Sequence, residues 1–210
     1  MSVSSARGPE VVVVATSNRG KLREIQRLLS DLPIALCALD EFQGVEMPVE
    51  GDDYTANALA KARSVARATG CVAIADDSGL EVEGLGGRPG PRSARYGGER
   101  LDAAGRVAHL LAEMAGLESD ARLARFVCVA AVASPDGGAA TARGECAGRI
   151  LDAPIGLEGF GYDPVFLALE TGVSMAELSE QAKNRISHRA RAMRALRDEI
   201  LRLALPAGPE

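Results

Sequence analysis

The sequence predicts an α/β fold, and three observations predict it. Val11–Val14 is a continuous β-branched run, which suits a strand buried on both faces, and a polar turn and a helical segment follow it. Cys71–Ala75 reads as a second short buried strand, preceded by a helix-like segment and followed by Asp76-Asp77-Ser78-Gly79. Leu123–Ala133 and Ala139–Ile150 flank Pro135-Asp136-Gly137-Gly138, a hairpin signal.

Taken in order, residues 1–9 are small and polar and are expected to be disordered. After Val11–Val14 comes Thr16-Ser17-Asn18-Arg19-Gly20-Lys21, and then Leu22, Ile25, Leu28 and Leu29 share one helical face. A polar, glycine-containing turn at a helix N-terminus aims backbone N–H groups outward and favours anions. An ordinary N-cap by Ser17 or Asn18 uses the same residues apart from the lysine. The Walker spacing is absent. Ile34–Leu39 reads as a strand, and Asp40–Asp53 as an acidic loop carrying Glu46, Glu50, Asp52 and Asp53. Tyr54–Thr69 is an alanine-rich helix stopped by Gly70, with Lys61 inside it.

The strand Cys71–Ala75 is expected to end at Asp76, with a glycine-rich loop running on to Gly98, since seven glycines fall between those residues. Leu101–Met114 reads as a helix, and the hairpin strands come next. Gly156–Pro164 forms a second glycine-rich loop leading into a strand at Val165–Leu169. Ser174-x-x-Glu177 has the form of a capping box opening a short helix. Ser187 caps a last helix to about Leu205, with Met193, Leu196, Ile200 and Leu203 inward. The domain is expected to span 10–205 as a single unit, with 206–210 as a tail.

Composition narrows the function. The content, 47% hydrophobic and 25% charged, is that of a globular protein, and no apolar run approaches the about 18 residues of a membrane span. Four separated cysteines, Cys37, Cys71, Cys128 and Cys146, form no C-x-x-C pair and suggest a reduced, cytoplasmic chain without a signal peptide. A net charge of −5 argues against nucleic acid as a partner and allows a small anion in a local positive pocket. Of 24 basic residues only three are lysine: Lys21, Lys61 and Lys183. In a chain so biased to arginine, each lysine is a candidate for a place needing a compact point charge.

Asp76 and Asp77 are the candidate chemical centre. Neighbouring strand side chains point to opposite faces, so the two carboxylates are expected to do different work unless a turn re-aims one. Paired carboxylates are easier to hold with a hard cation between them and an anionic substrate. Phe160, flanked by glycines, offers a stacking surface for a base. His188 and Arg189 sit in the first turn of the last helix, where cations oppose the macrodipole, which hints at an anion or base contact.

Together these stretches resemble the inosine triphosphate pyrophosphatase (Ham1-like) family. The resemblance rests on Thr16–Lys21, Asn57-Ala58-x-x-Lys61-Ala62, Ala75–Val82, Leu85-Gly86-Gly87-x-Pro89-Gly90, Ser93-Ala94-Arg95-Tyr96, Gly159–Pro164, Lys183 and Ser187-His188-Arg189, in the family's order from about Val11 to Leu203. It implies a long twisted mixed sheet flanked by helices, two lobes with an active-site cleft, and a homodimer. It also implies Mg²⁺-dependent hydrolysis of the α–β bond of deaminated purine triphosphates (dITP, ITP, XTP), which cleans the nucleotide pool.

By the same resemblance, Asp77 is the proton acceptor and a Mg²⁺ ligand, and Asp76 supports it. Thr16, Ser17, Asn18, Arg19, Gly20 and Lys21 hold the triphosphate with Lys61 nearby, and Ser78 contacts substrate. Phe160, Gly161, Tyr162, Asp163, Lys183, His188 and Arg189 surround the base. The family places a second acidic metal ligand shortly before the Asn-Ala helix. Glu50 is the nearest candidate, although counting back from Asn57 gives Val49; Asp52 or Glu46 are the alternatives. Two other readings compete: a Maf-like pyrimidine triphosphate pyrophosphatase, and a nucleotide-binding regulator without turnover.

Overall fold

A computed structural model of the protein describes residues 10–205; the stretches 1–9 and 206–210, expected to be a disordered N-terminus and a tail, lie outside the described residues. Seven strands form one mixed sheet: β1 (Glu10–Val14), β2 (Ile34–Ala38), β3 (Val72–Val82), β4 (Pro89–Gly90), β5 (Leu123–Ala133), β6 (Ala139–Ile150) and β7 (Phe166–Ala168). The order is β2-β1-β3-β5-β6-β7, with β4 beside β3. Strand β1 runs parallel to both β2 and β3, and every other pairing is antiparallel.

Among the described residues five helices pack on it: α1 (Arg19–Leu28), α2 (Tyr54–Thr69), α3 (Ala103–Glu113), α4 (Glu180–Ile186) and α5 (His188–Ala204). On one face, α1 with its C-cap Leu29, and α5, bury Ile25, Leu29, Met193, Leu196 and Ile200 against Val12, Val14, Ile74 and Val132. Each such side chain contributes roughly 1.5–3 kcal/mol on leaving water. The other face receives α2, where Ala58, Ala62 and Ala66 meet Ala73, Ala75, Ala131 and Ala133. Small side chains on both sides let the helix lie close to the sheet, which brings Asn57 and Lys61 within reach of β3. A third core gathers Leu80, Val82, Leu110, Met114, Ile150 and Phe166 at the far end of the long strands. None of the helices described is long and apolar enough to cross a membrane.

Most expected elements are present, and α2 and the hairpin strands match to the residue. Three expectations are corrected. The strand at Ala73 does not stop at Asp76: β3, 11 residues from Val72 to Val82, runs on through Asp76, Asp77, Ser78 and Gly79. The reason is its partner. Strand β5 ladders with it from Ala73 to Val82, and this pairing overrides the poor strand propensity of Asp and Gly. The stretch to Gly98 is accordingly only partly loop, holding the rest of β3, the short β4 and single 3₁₀ turns at Glu83–Leu85 and Ser93–Arg95.

The third correction is Ser174. Its N–H does donate to the Glu177 carboxylate, at 2.9 Å, but no helix follows. The hydroxyl instead donates to the Ile155 carbonyl at 2.6 Å, and Met175 N–H is held by Phe166 in β7. Helix α4 opens later, capped by Ser179.

Candidate active site

The site lies at a gap in the sheet. Strand β1 pairs with β3 only along Val72–Ile74, and β4 meets it only at Leu80 and Glu81. Between them, Ala75–Gly79 have no strand on that edge among the described residues. Beyond the carboxyl end of β1, where ligands gather in α/β sheets, the turn Thr16–Gly20 and the start of α1 occupy this space. Asn18 is the N-cap: its side-chain oxygen accepts from Gly20 N–H at 2.9 Å and Lys21 N–H at 3.2 Å. Thr16 Oγ1 in turn accepts from Asn18 N–H at 3.2 Å. Ser17 and Arg19 are exposed beside them.

Because Asp76 and Asp77 lie in a strand, their carboxylates face opposite ways. Asp76 points toward α1 and α5. Lys21 Nζ lies 3.1 Å from it, and Arg189 Nη2 and Nε donate at 3.0 and 3.2 Å. The Ser78 hydroxyl also donates to it. Burial alone raises such a carboxyl, but Lys21 and Arg189 outweigh it and hold Asp76 far below the usual range, permanently ionised. Its Oδ1 is buried without a hydrogen-bond partner.

Asp77 points toward α2. Asn57 Nδ2 donates to its Oδ2 at 2.9 Å, and Lys61 Nζ lies 3.2 Å from its Oδ1. The same ammonium reaches Glu50 Oε1 at 2.7 Å. Burial dominates at Asp77 and moves its pKa upward, with Glu50 adding to the rise against the pull of Lys61. Glu50 is more open, and Lys61 holds its pKa below the usual value against burial.

A single cavity of about 280 Å³ is lined by Asn18, Lys21 and Ser78 and also by Phe160–Asp163, Lys183, His188 and Arg189. Phe160 lies over the first turn of α1, so close that a Cβ on Gly20 would stand 2.8 Å from its ring. Lys183 Nζ sits 4.8 Å from the centre of that ring and pairs with Asp163 at 2.6 Å. Asp163 Oδ2 accepts the Phe160 N–H at 2.8 Å, closing the loop on itself. His188 stacks on Phe126, 4.8 Å between ring centres, with its Nδ1 buried and unpartnered. Burial, then Arg189 and Lys183, push its pKa well below the ordinary value, so the imidazole is neutral. Helix α5 can deliver these residues because Gly144 lets it touch β6: a Cβ there would stand 2.2 Å from the His188 carbonyl.

Of the candidate residues, Asn18, Lys21, Ser78, Phe160–Asp163, Lys183, His188 and Arg189 line this cavity, with Asp76 beneath Lys21 and Arg189. Glu50, Lys61 and Asp77 form a separate cluster toward α2, and Thr16, Ser17, Arg19 and Gly20 belong to the adjoining turn without lining the cavity. Glu24 was missed. From α1 it pairs with Lys183 at 2.8 Å and with the Arg189 guanidinium, linking the two clusters. In sequence it is one acid on an amphipathic helix, with no signal beyond its place between Lys21 and Arg27. The cationic start of α5, costly against the macrodipole, is compensated: Arg189 is neutralised by Asp76 and Glu24, and His188 carries no charge.

The Ham1 family model matches residues 12–199. A Geobacter sulfurreducens protein named dITP/XTP pyrophosphatase is 47% identical across 90% of this chain and 96% of its own length. A Thermus thermophilus protein of the same name is 50% identical over 88% of this chain and 89% of its own. Among solved structures, a HAM1 protein from Coxiella burnetii superposes with a TM-score of 0.82 at 38% identity, covering 91% of this chain and 98% of that one. The Staphylococcus aureus Ham1 protein gives 0.80 at 34% identity, covering 91% and 98%. The chain belongs to the Ham1 family.

Proposed function

We propose that this protein hydrolyses the α–β phosphoanhydride of deaminated purine nucleoside triphosphates, dITP, ITP and XTP, to the monophosphate and pyrophosphate. The observation that carries the reading is the joint lining of one cavity by a phosphate-type cation, Lys21, and by a base-type group of Phe160, Lys183 and His188. The names of relatives of about half identical sequence agree with it.

The donor set suits a hard divalent cation. Glu50 and Asp77 present carboxylate oxygens on two sides of Lys61 Nζ, and among the described residues no group of three potential ligands forms a full cage. Mg²⁺ uses one or two carboxylates and completes its shell with water and phosphate oxygens. Bound there, it would neutralise phosphate charge and acidify the attacking water. Asp77, with its raised pKa, is the proton acceptor for that water, a role favoured when basicity moves toward neutral pH. Lys21, pinned by Asp76, and Lys61 carry charge that builds on the phosphate oxygens.

At the base, a neutral imidazole offers one donor and one acceptor, so a base edge that mismatches it is costly. A 6-oxopurine presents an acceptor where adenine presents an amino group, a difference worth about 10⁴ in such sites. We read the protein as a cytoplasmic homodimer on the family resemblance. The test is pyrophosphate release from dITP and XTP beside dATP, dGTP and dTTP, with and without Mg²⁺. Release confined to dITP and XTP supports the reading, and preference for dTTP moves the protein to the Maf-like alternative.

A further inference from the structure

From Phe42 to Asp53 the acidic loop has neither helix nor strand, yet it must hold Glu50 beside Lys61 and Asp77. It is fastened from two sides. On the α2 side, Asn57 Oδ1 accepts the Gly51 N–H at 2.8 Å and its Nδ2 donates to the Gly51 carbonyl at 3.0 Å. On the other side stand two arginines. Arg92 forks onto both oxygens of Asp52, at 2.7 Å each. Arg95 places Nη1 3.4 Å from Glu50 Oε2 and donates from Nη2 to the Glu50 carbonyl at 3.2 Å.

The turn bearing Arg95 is itself anchored. Ser93 Oγ donates to the Gly90 carbonyl at 2.6 Å and accepts from Leu80 N–H at 2.8 Å. The Ser93 carbonyl accepts from the Tyr162 hydroxyl at 3.0 Å. Ser93, Ala94 and Tyr162 line the cavity. The cavity wall at Ser93 is thus joined, through the single turn Ser93–Arg95 and then polar contacts from Arg95 to Glu50, Glu50 to Lys61 and Lys61 to Asp77, to the Asp77 carboxylate.

The Arg95 side chain is 36% exposed and that of Glu50 29%. Ion pairs this open add little to stability, so what the contact supplies is position. Its hold on both the carboxylate and the carbonyl of one residue uses the planar fork of arginine, which lysine lacks.

We infer that Arg95 is a positioning residue for the reaction, holding Glu50 beside Lys61 and Asp77 and tying it to the turn that walls the cavity. This rests on the proposed pyrophosphatase activity, and the wild-type protein must first release pyrophosphate from dITP; failure at that point counts against the proposed function and not against Arg95. Given activity, Arg95→Met lowers kcat for dITP by about 10- to 100-fold, the scale of a small misplacement in a reacting constellation. KM moves little, and the thermal midpoint stays within error of wild type. In a Glu50→Gln background the same substitution has no further effect, because Arg95 acts through Glu50. Unchanged kcat in Arg95→Met overturns the inference. So does a raised KM with kcat intact, or a full multiplication of the Arg95→Met and Glu50→Gln effects, since either gives Arg95 a role of its own on the substrate.

Discussion

Lys61 stands between two carboxylates: its Nζ is 2.7 Å from Glu50 Oε1 and 3.2 Å from Asp77 Oδ1. The alanine-on-alanine contact between α2 and the sheet brings it there, and a planar guanidinium on a longer stem cannot place one compact charge at both of these distances. Lys61→Arg is therefore expected to push Glu50 and Asp77 apart and lower kcat on dITP by at least about 10-fold. Steady-state kinetics check this. Wild-type kcat in the variant would mean that only charge matters at this position.

Asp77 is buried with its charge held against the preference of its surroundings. Asp77→Asn keeps the shape and the Asn57 contact site while removing the base. Its thermal midpoint at pH 7 is expected to be no lower than wild type, while kcat falls by about 10²–10⁴. Differential scanning calorimetry beside pyrophosphate release separates the two quantities.

Glu24 offers the opposite pattern. It lies among Arg189 and Lys183, both almost fully buried, so Glu24→Ala leaves two cations under-compensated. The expected loss is about 3–5 kcal/mol of unfolding free energy, measured by urea denaturation. A loss under about 1 kcal/mol would place it with ordinary surface pairs.

His188 gives a pH signature. Its pKa in the folded state lies well below the ordinary 6.5, so below that pH the unfolded chain takes up a proton that the folded chain does not. Stability from this group is complete above 6.5 and declines as pH falls. His188→Phe, which keeps a ring against Phe126, should flatten the loss of thermal midpoint between about pH 6.5 and 5. Because the folded imidazole keeps its neutral form to a pH well below the ordinary 6.5, the wild-type preference for dITP over dATP is expected to persist as pH falls through 6.5.

Much of this molecule was legible because local chemistry and tertiary contact agree. Helix α2 announces itself with Asp53, whose carboxylate caps Ala56 N–H, and with Gly70, and the hairpin with Pro135-Asp136-Gly137-Gly138. The lysine scarcity pointed to three positions that the structure brings to the candidate site, Lys21 and Lys183 at the cavity and Lys61 between Glu50 and Asp77. What stayed hidden depends on distant partners. Asp76 and Asp77 read as a turn because the charges that let them sit in a strand come from Lys21, Lys61 and Arg189, far away in sequence. Glu24 carried no signal in the sequence, and Arg95 stood in the Ser93-Ala94-Arg95-Tyr96 stretch without a role of its own, until α5 and the acidic loop were in place. At Ser174 the capping hydrogen bond formed, yet β7 held the backbone and no helix followed.

The most direct measurement is product formation from dITP by wild type and by Asp77→Asn, with nucleotide binding followed in parallel by calorimetry. The predicted result is equal amounts of dIMP and pyrophosphate from the wild type, with turnover lost and dITP binding kept in Asp77→Asn. Binding without any pyrophosphate from the wild type, or full turnover in Asp77→Asn, would contradict a pyrophosphatase in which Asp77 accepts the proton.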